Sequence, residues 1–410
     1  MDTTVAGLAQ VETIMGIPVA IDVRDPDVDP SALDAAGEGS LGDAAAKMPA
    51  SFNAVPRAPA DTAAILYTSG TTGRSKGAVL SHDNLLSNAL TLRDLWRFTA
   101  SDRLLHALPI FHVHGLFVAS NVIAAAGASM LFLAKFDPGE VIRLLPQATA
   151  MMGVPTFYTR LLARADFTGD TARNVRLFIS GSAPLLPATF AEFETRTGQR
   201  ILERYGMTET GMLTSNPCDG ERRAGSVGFP LPGVCVRVAD AETGRALTQG
   251  KTGVIEVKGP NVFSGYWRRP DLAASEFRSD GYFITGDVGM VDTDGYVFIV
   301  GRAKDLVISG GLNVYPKEIE TMIDGLDGVA ESAVFGLPHP DFGEAVAAAV
   351  VAQKGVALEP KAISAALAGR LASFKQPKMI AVVDDLPRNT MGKVQKNLLR
   401  ERYKDEFTKS

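Results

Sequence analysis

The segment YTSGTTGRSKG at 67–77 concentrates the groups that hold a polyphosphate. Gly70 and Gly73 let a backbone come close to an anion, while Thr68, Ser69, Thr71 and Thr72 donate hydrogen bonds. Lys76 adds a mobile positive charge. A solvent-exposed flexible loop has the same composition, so both readings stand at this level. The segment is not a GxxxxGK[ST] loop. The near miss GRALTQGKT at 244–252 has one residue too many and lies among turn formers, so a turn is expected there.

The flanking sequence indicates what must position these groups. An apolar run at 63–67 (AAILY) reads as a strand feeding the loop. Beyond it, Leu85, Leu86, Ala89, Leu92 and Leu95 recur at helical spacing, so the loop is expected to link a strand to a helix. Apolar runs at 128–133, 150–154 and 175–179 alternate with helix-like segments, which argues for a parallel, helix-flanked sheet. The stretch 115–133 reads as a buried helix followed by a strand. From 225 onward, short strand-like runs separated by Gly and Asp turns suggest an antiparallel β subdomain. Charged helices and alternating strands follow residue 301. The fold expected is mixed α/β (α+β), with a large multi-subdomain region over 1–303 and a smaller α+β domain over 304–410. Near the N-terminus, 17–23 (IPVAIDV) could form one buried strand, and the Asp-, Pro- and Gly-rich 24–60 reads as a surface excursion.

Composition narrows the functional classes. With 410 residues, more than one domain is expected. A net charge of −5 gives no footprint for nucleic acid or an anionic membrane. No apolar run is long enough to span a bilayer. The acidic N-terminus does not resemble a signal peptide, and Cys218 and Cys235 fit neither a metal site nor a disulfide framework. Both cysteines fit a reducing cytoplasm, so a cytoplasmic protein is expected.

Several further segments follow the phosphate-type loop in order: GSAPL (181–185), YGMTE (205–209), YFITGD (282–287), GRAKDL (301–306), SGGLNVYPKEIE (309–320) and PRNTMGKVQK (387–396). Together they resemble the adenylate-forming superfamily of acyl-CoA synthetases, luciferases and peptide-synthetase adenylation domains, over roughly 62–402. The usual loop has Pro where Ser75 stands. The resemblance implies that ATP is held by the loop and by an adenine turn at Gly181, Ser182, Ala183 and Pro184. Tyr205, Gly206 and Met207 would then lie along the adenine, with Thr208 at the α-phosphate. Magnesium would sit at Glu209 with Thr68. Asp287 would accept from the ribose hydroxyls, Arg302 would fix the ribose, and Lys393 would be the adenylation lysine. The C-terminal domain would rotate about Lys304 to bring Ser309, Gly310 and Gly311 toward coenzyme A. Lys393 is also a position for lysine acylation in some relatives. Outside motif context a Lys or Arg is usually a solvated surface residue, and Lys396 keeps that reading.

The acid is addressed by LPIFHVHG (108–115) and by Arg204. His112 matches the position of the family's gate beside the acyl pocket; His114 reads as a core or rim residue. Relatives acting on apolar acids carry a small residue where Arg204 stands. An arginine pointing into that pocket needs an anion, and a dicarboxylate supplies one. ERYGMTETGM and MGVPTFY (152–158) resemble malonyl-CoA synthetases, so malonate or methylmalonate is expected, with Ser180 and Met207 as pocket neighbours. The alternatives are another short acid, an Arg204 paired with Glu203 or another acid at the surface, and a non-catalytic nucleotide-binding fragment. An adenylation domain is disfavoured because no carrier-protein segment follows. Full-length members have their phosphate loop much further from the N-terminus. Roughly a hundred residues of the large domain are therefore expected to be absent, with chemistry retained at reduced stability.

Overall fold

The computed structural model describes residues 31–33, 39–40, 56–68, 76–389 and 392–407. The strand expected at 17–23 lies outside them. Within the supposed surface excursion, β1 (Ser31–Leu33) and β2 (Gly39–Ser40) form a small antiparallel pair.

Two strands frame the Gly/Thr-rich loop. β3 (Thr62–Thr68) pairs antiparallel with β4 (Lys76–Ser81), and the helix α1 (His82–Leu95) begins only after β4. The loop therefore joins two strands, correcting the expected strand-to-helix link. Ser81 ends β4 and caps α1. Its Oγ accepts from Asn84 N at 3.0 Å, while Asn84 Oδ1 accepts from Ser81 N at 2.9 Å.

The large sheet is built from β5 (Arg103–His106), β6 (Ser129–Phe132), β7 (Ala150–Gly153), β8 (Leu177–Ser180) and β9 (Leu202–Met207). These are parallel in the order β6-β5-β7-β8-β9 and are extended by antiparallel β10 (Gly211–Ser215) and β11 (Phe229–Pro230). Between β5 and β6 run a π-helical turn (His114–Ala119) and α2 (Ser120–Ala126). The other crossovers carry α3 (Pro138–Leu144), α4 (Pro155–Leu162), α5 (Gly169–Ala172) and α6 (Pro187–Thr197).

Strand alternation divides the core between the two faces. Leu104, Met152, Ile179 and Leu202 pack with Leu92, Trp96, Val118 and Val122 from α1 and the 114–126 helical segment. Leu105, Met151, Phe178 and Ile201 pack with Val141, Leu161, Phe190 and Phe193 beneath α3, α4 and α6. Arg204 shares its parity with Leu202, so β9 directs it to the face covered by the 114–126 segment.

The expected antiparallel subdomain is present as β12 (Cys235–Ala239), β13 (Gly253–Lys258), β14 (Phe283–Val291) and β15 (Val297–Arg302), with α7 (Pro270–Glu276) between β13 and β14. Residues 244–252 form its turns, as expected. The C-terminal unit contains the hairpin β16 (Val307–Ser309) and β17 (Leu312–Val314), then α8 (Pro316–Asp324), β18 (Val329–His339) and β19 (Gly343–Ala352). α9 (Pro360–Leu367), β20 (Met379–Val383) and α10 (Lys396–Tyr403) complete it, with β20 parallel to β19. Among the described residues, no helix is long and apolar enough to cross a membrane.

Candidate active site

In a helix-flanked parallel sheet, ligands bind outside the carboxyl ends of the strands. The carboxyl ends here deliver His112 and His114 after β5, Gly153 on β7, Ser180 to Pro184 after β8, and Arg204 to Met207 on β9. The sequence-predicted acyl and adenine residues are thus brought to one edge.

Arg204 is 3% exposed, and its Nε and Nη2 atoms have no hydrogen-bond partner. Burial pushes its guanidinium down to about 9. Glu203 is not its counter-ion: strand alternation sends that carboxylate to the other face, where Oε1 accepts from Gly225 N at 3.1 Å. Among the described residues no carboxylate pairs with Arg204, which overturns the surface-pair alternative. The guanidinium lies directly on Gly181, where a Cβ would come within 2.4 Å of Arg204 Cζ. Burial and the nearby Arg204 charge push His112 down to about 4. Ser180 Oγ is buried without a partner. His114, set aside by the sequence reading, is fully buried; Nδ1 lies 3.2 Å from Ser182 Oγ, and Nε2 has no partner. Tyr158 lies buried near Arg204, its hydroxyl donating to Ile179 O at 2.6 Å.

A second cluster lies where β9 meets β14 and β15. Tyr205 OH donates to Asp287 Oδ2 at 2.5 Å, and Arg302 Nε holds Asp287 Oδ1 at 2.7 Å. The register that places Asp287 opposite Arg302 explains the pairing. Lys393 joins this cluster from the C-terminal unit. Its backbone N donates to Asn389 Oδ1 at 2.9 Å, and Arg388 Nη1 donates to Gly392 O at 2.7 Å, fixing the loop that presents it. Gly392, at φ 74°, lies against Thr156 of the large domain. The Lys393 side chain reaches solvent but lies among the charges of Arg302, Asp287, Lys304 and Asp305. Desolvation, followed by the charge of Arg302, pushes its amine down to about 8.

Residues Ser69, Gly70, Thr71, Thr72 and Gly73 lie outside the described residues. At the loop's ends, Thr68 Oγ1 donates to Lys76 O at 3.4 Å, and Lys76 Nζ bonds Glu276 Oε1 at 2.8 Å above the Tyr266 ring. Lys76 is thus paired with Glu276 in this structure. Tyr266 OH in turn donates to Glu209 Oε1 at 2.9 Å. Glu209 is buried with no cationic partner among the described residues, and desolvation raises its carboxyl. A desolvated carboxylate of this kind fits magnesium completed by phosphates and water, since magnesium commonly takes only one or two protein carboxylates. Tyr266 and Glu276 were missed because their links to Glu209 and Lys76 span 57 and 200 residues.

The remaining predicted residues are dispersed. Thr208 lies in the turn between β9 and β10, and Gly206 packs so tightly on Gly211 O that a Cβ would fall 2.0 Å from it. Lys304 is exposed in the short turn after β15. Ser309 is buried, whereas Gly310 and Gly311, at φ 58° and 79°, turn the β16–β17 hairpin. The hairpin bonds within the C-terminal unit, through Gly310 N to Phe342 O at 2.9 Å. Lys396 pairs with Glu320 at 2.6 Å, in keeping with a structural reading.

Known proteins share this architecture. The AMP-binding enzyme family matches residues 8–267, and the AMP-binding enzyme C-terminal domain matches 318–393. A malonate–CoA ligase of Arabidopsis thaliana is 38% identical over 387 residues, covering 87% of this chain and 63% of the relative. The chain thus spans less than two thirds of the length of that relative. The crystal structure of ATP-bound MatB from Rhodopseudomonas palustris is 62% identical, with a TM-score of 0.88, covering 90% of this chain and 74% of that one. A malonyl-CoA ligase ternary product complex with methylmalonyl-CoA and AMP is 41% identical, with a TM-score of 0.58, covering 82% of this chain and 74% of that one. The two-domain adenylate-forming fold and the extent of the match establish that this chain belongs to the AMP-binding enzyme family.

Proposed function

We propose that the chain is an AMP-forming acid–thiol ligase that makes malonyl-CoA from malonate through malonyl-AMP, with methylmalonate as the nearest alternative acid. One observation carries the choice of acid: Arg204 is a buried guanidinium with two unpartnered donor atoms and no counter-ion among the described residues. An apolar acyl tail would leave that cation desolvated and alone, whereas a second carboxylate pairs with it. The similarity to malonate–CoA ligases supports the same reading.

In the first half-reaction a substrate carboxylate oxygen attacks the α-phosphorus, and the bond to the β-phosphate oxygen breaks with release of pyrophosphate. Both reactants are anionic, so positive charge at their approach lowers the barrier. Lys393 takes that role beside the nucleotide cluster. Asp287 accepts from the ribose diol with the lone pairs that Tyr205 and Arg302 leave free. Gly181, Ser182, Ala183, Pro184, Tyr205, Gly206 and Met207 wall the adenine. Thr208 meets the α-phosphate, and the Thr68–Lys76 loop meets the others. His112 gates the acyl pocket, with Ser180 inside it. Glu209 with Thr68 would hold magnesium, which when bound neutralises phosphate charge. In the second half-reaction the coenzyme A thiol attacks the acyl carbon and AMP leaves. The hinge is assigned between 303 and 304, with Lys304 as pivot and Ser309, Gly310 and Gly311 lining the pantetheine path. We assign the protein to the cytoplasm, on its two free cysteines, and keep Lys393 as a position for regulatory acylation.

The test is malonate-dependent ATP–pyrophosphate exchange with Arg204→Ala. Removing one member of a buried charge pair predicts a fall of about a hundredfold or more in malonate kcat/KM, with acetate little changed. Equal losses for both acids, or a folded wild type without malonate-dependent exchange, would refute the assignment.

A further inference from the structure

Near Arg204 lies a buried group that the proposed reaction does not yet use. His114 is fully buried, yet Nε2 makes no hydrogen bond, and a buried imidazole nitrogen normally finds a partner. Its other nitrogen is committed, with Nδ1 3.2 Å from Ser182 Oγ. Ser182 follows Gly181, against which the Arg204 guanidinium packs. Ser182 also stands at φ 69°, a left-handed backbone that a non-glycine residue keeps only when its surroundings hold it. His114 opens a π-helical turn, a geometry found often at functional sites. That turn is fixed from both sides, because Gly115 O lies 3.0 Å from His106 Nε2 and accepts from Ser120 Oγ at 3.0 Å.

The unpartnered atoms here are therefore His114 Nε2, Ser180 Oγ, and Arg204 Nε and Nη2. The imidazole is neutral, held well below its usual range by burial and by the Arg204 charge. If the Ser182 hydroxyl donates to Nδ1, the single ring proton resides on Nε2, and each of these atoms can donate. The two guanidinium nitrogens and the ring N–H can only donate, the Ser180 hydroxyl can donate as well, and such a set suits a carboxylate.

We infer that His114 is a specificity-determining residue: with its proton on Nε2 and Nδ1 accepting from Ser182, it donates to the distal carboxylate of the acid alongside Arg204. The inference rests on the dicarboxylate reading of Arg204 and adds to it. Through Ser182 it also ties the acyl pocket to the turn that walls the nucleotide.

Two substitutions separate the roles of the ring nitrogens. H114N keeps a polar atom near the Nδ1 position and removes the pocket donor. H114Q places an amide N–H near the Nε2 position and loses the Ser182 partner. Malonate and propionate dissociation constants are measured by titration calorimetry on the full chain with a non-hydrolysable ATP analogue, with melting curves confirming folding. H114N should weaken malonate about tenfold or more, the scale of one hydrogen bond to a charged group, and leave propionate and the ATP analogue unchanged. H114Q should stay within about threefold of wild type for malonate. Unchanged malonate affinity in H114N overturns the inference. So does an equal loss for both acids, or a loss in H114Q matching that in H114N. Arg204→Ala is the separating control: if it weakens malonate while H114N does not, only the role of His114 fails. If Arg204→Ala leaves malonate unaffected, or wild type binds no malonate, the dicarboxylate reading fails with it.

Discussion

Replacing Gly181 by alanine tests whether the position of Arg204 sets substrate choice. The Gly181 backbone lies outside the left-handed region, so an alanine meets no conformational penalty there. The added Cβ, however, would stand 2.4 Å from Arg204 Cζ and Nη1 and 2.7 Å from Nε. Ordinary contact begins near 3.4 Å, so the guanidinium must retreat by about 1 Å. Overpacking a tight interior costs about 1–3 kcal/mol. A displacement of about 1 Å in a positioning group can cost about a hundredfold in rate. G181A should therefore raise the malonate KM by about ten- to a hundredfold and leave propionate within about threefold. The assay is pyrophosphate exchange over both acids at saturating ATP, repeated in the R204A background. With the guanidinium gone, G181A should cost almost nothing further, because the two changes act through one contact. Losses that are equal for both acids, or that add fully in the double variant, would show that Gly181 acts on the nucleotide turn and not through Arg204.

Other perturbations probe the nucleotide cluster. Lys393 must be protonated to neutralise charge, and its amine sits at about 8, so the adenylation rate should fall as pH rises through about 8. A flat pH–rate profile between pH 7 and about 9.5, well past that value, would remove the lysine from that role. Asp287→Asn leaves Arg302 without its carboxylate partner. Because the Arg302 side chain keeps 29% exposure, the stability loss should be at or below the ~3 kcal/mol lower edge for fully buried pairs. Chemical denaturation measures that loss, and the same variant should raise the ATP KM.

What could be read from sequence divides along a physical line. Tyr205, Asp287 and Lys393 were legible because each stands in a contiguous motif. Arg204 was legible as a candidate because its motif places it beside the expected acyl pocket, where a buried charge demands a partner. The place of His114 was not legible, since only the fold buries it against Ser182 and within reach of the Arg204 charge. Nor were the links of Lys76 to Glu276 and of Glu209 to Tyr266, which join residues remote in sequence. β4 was overlooked because KGAVLS begins inside the motif itself, so its apolar alternation was absorbed into a loop. The parallel sheet and the later antiparallel region were visible because their apolar runs are short and separated by turn formers.

The unpaired Arg204 also bears on folding. With no carboxylate beside Arg204 among the described residues, the native chain buries a cation uncompensated, a cost that the unfolded chain escapes by hydrating it. A ligand that neutralises the cation restores that stability, so occupancy and folding are thermodynamically linked. At a hundred times its dissociation constant, malonate would add about 2.7 kcal/mol to the folded state. Propionate at the same concentration would add far less. The melting temperature then reports on the dicarboxylate supply even where no turnover occurs.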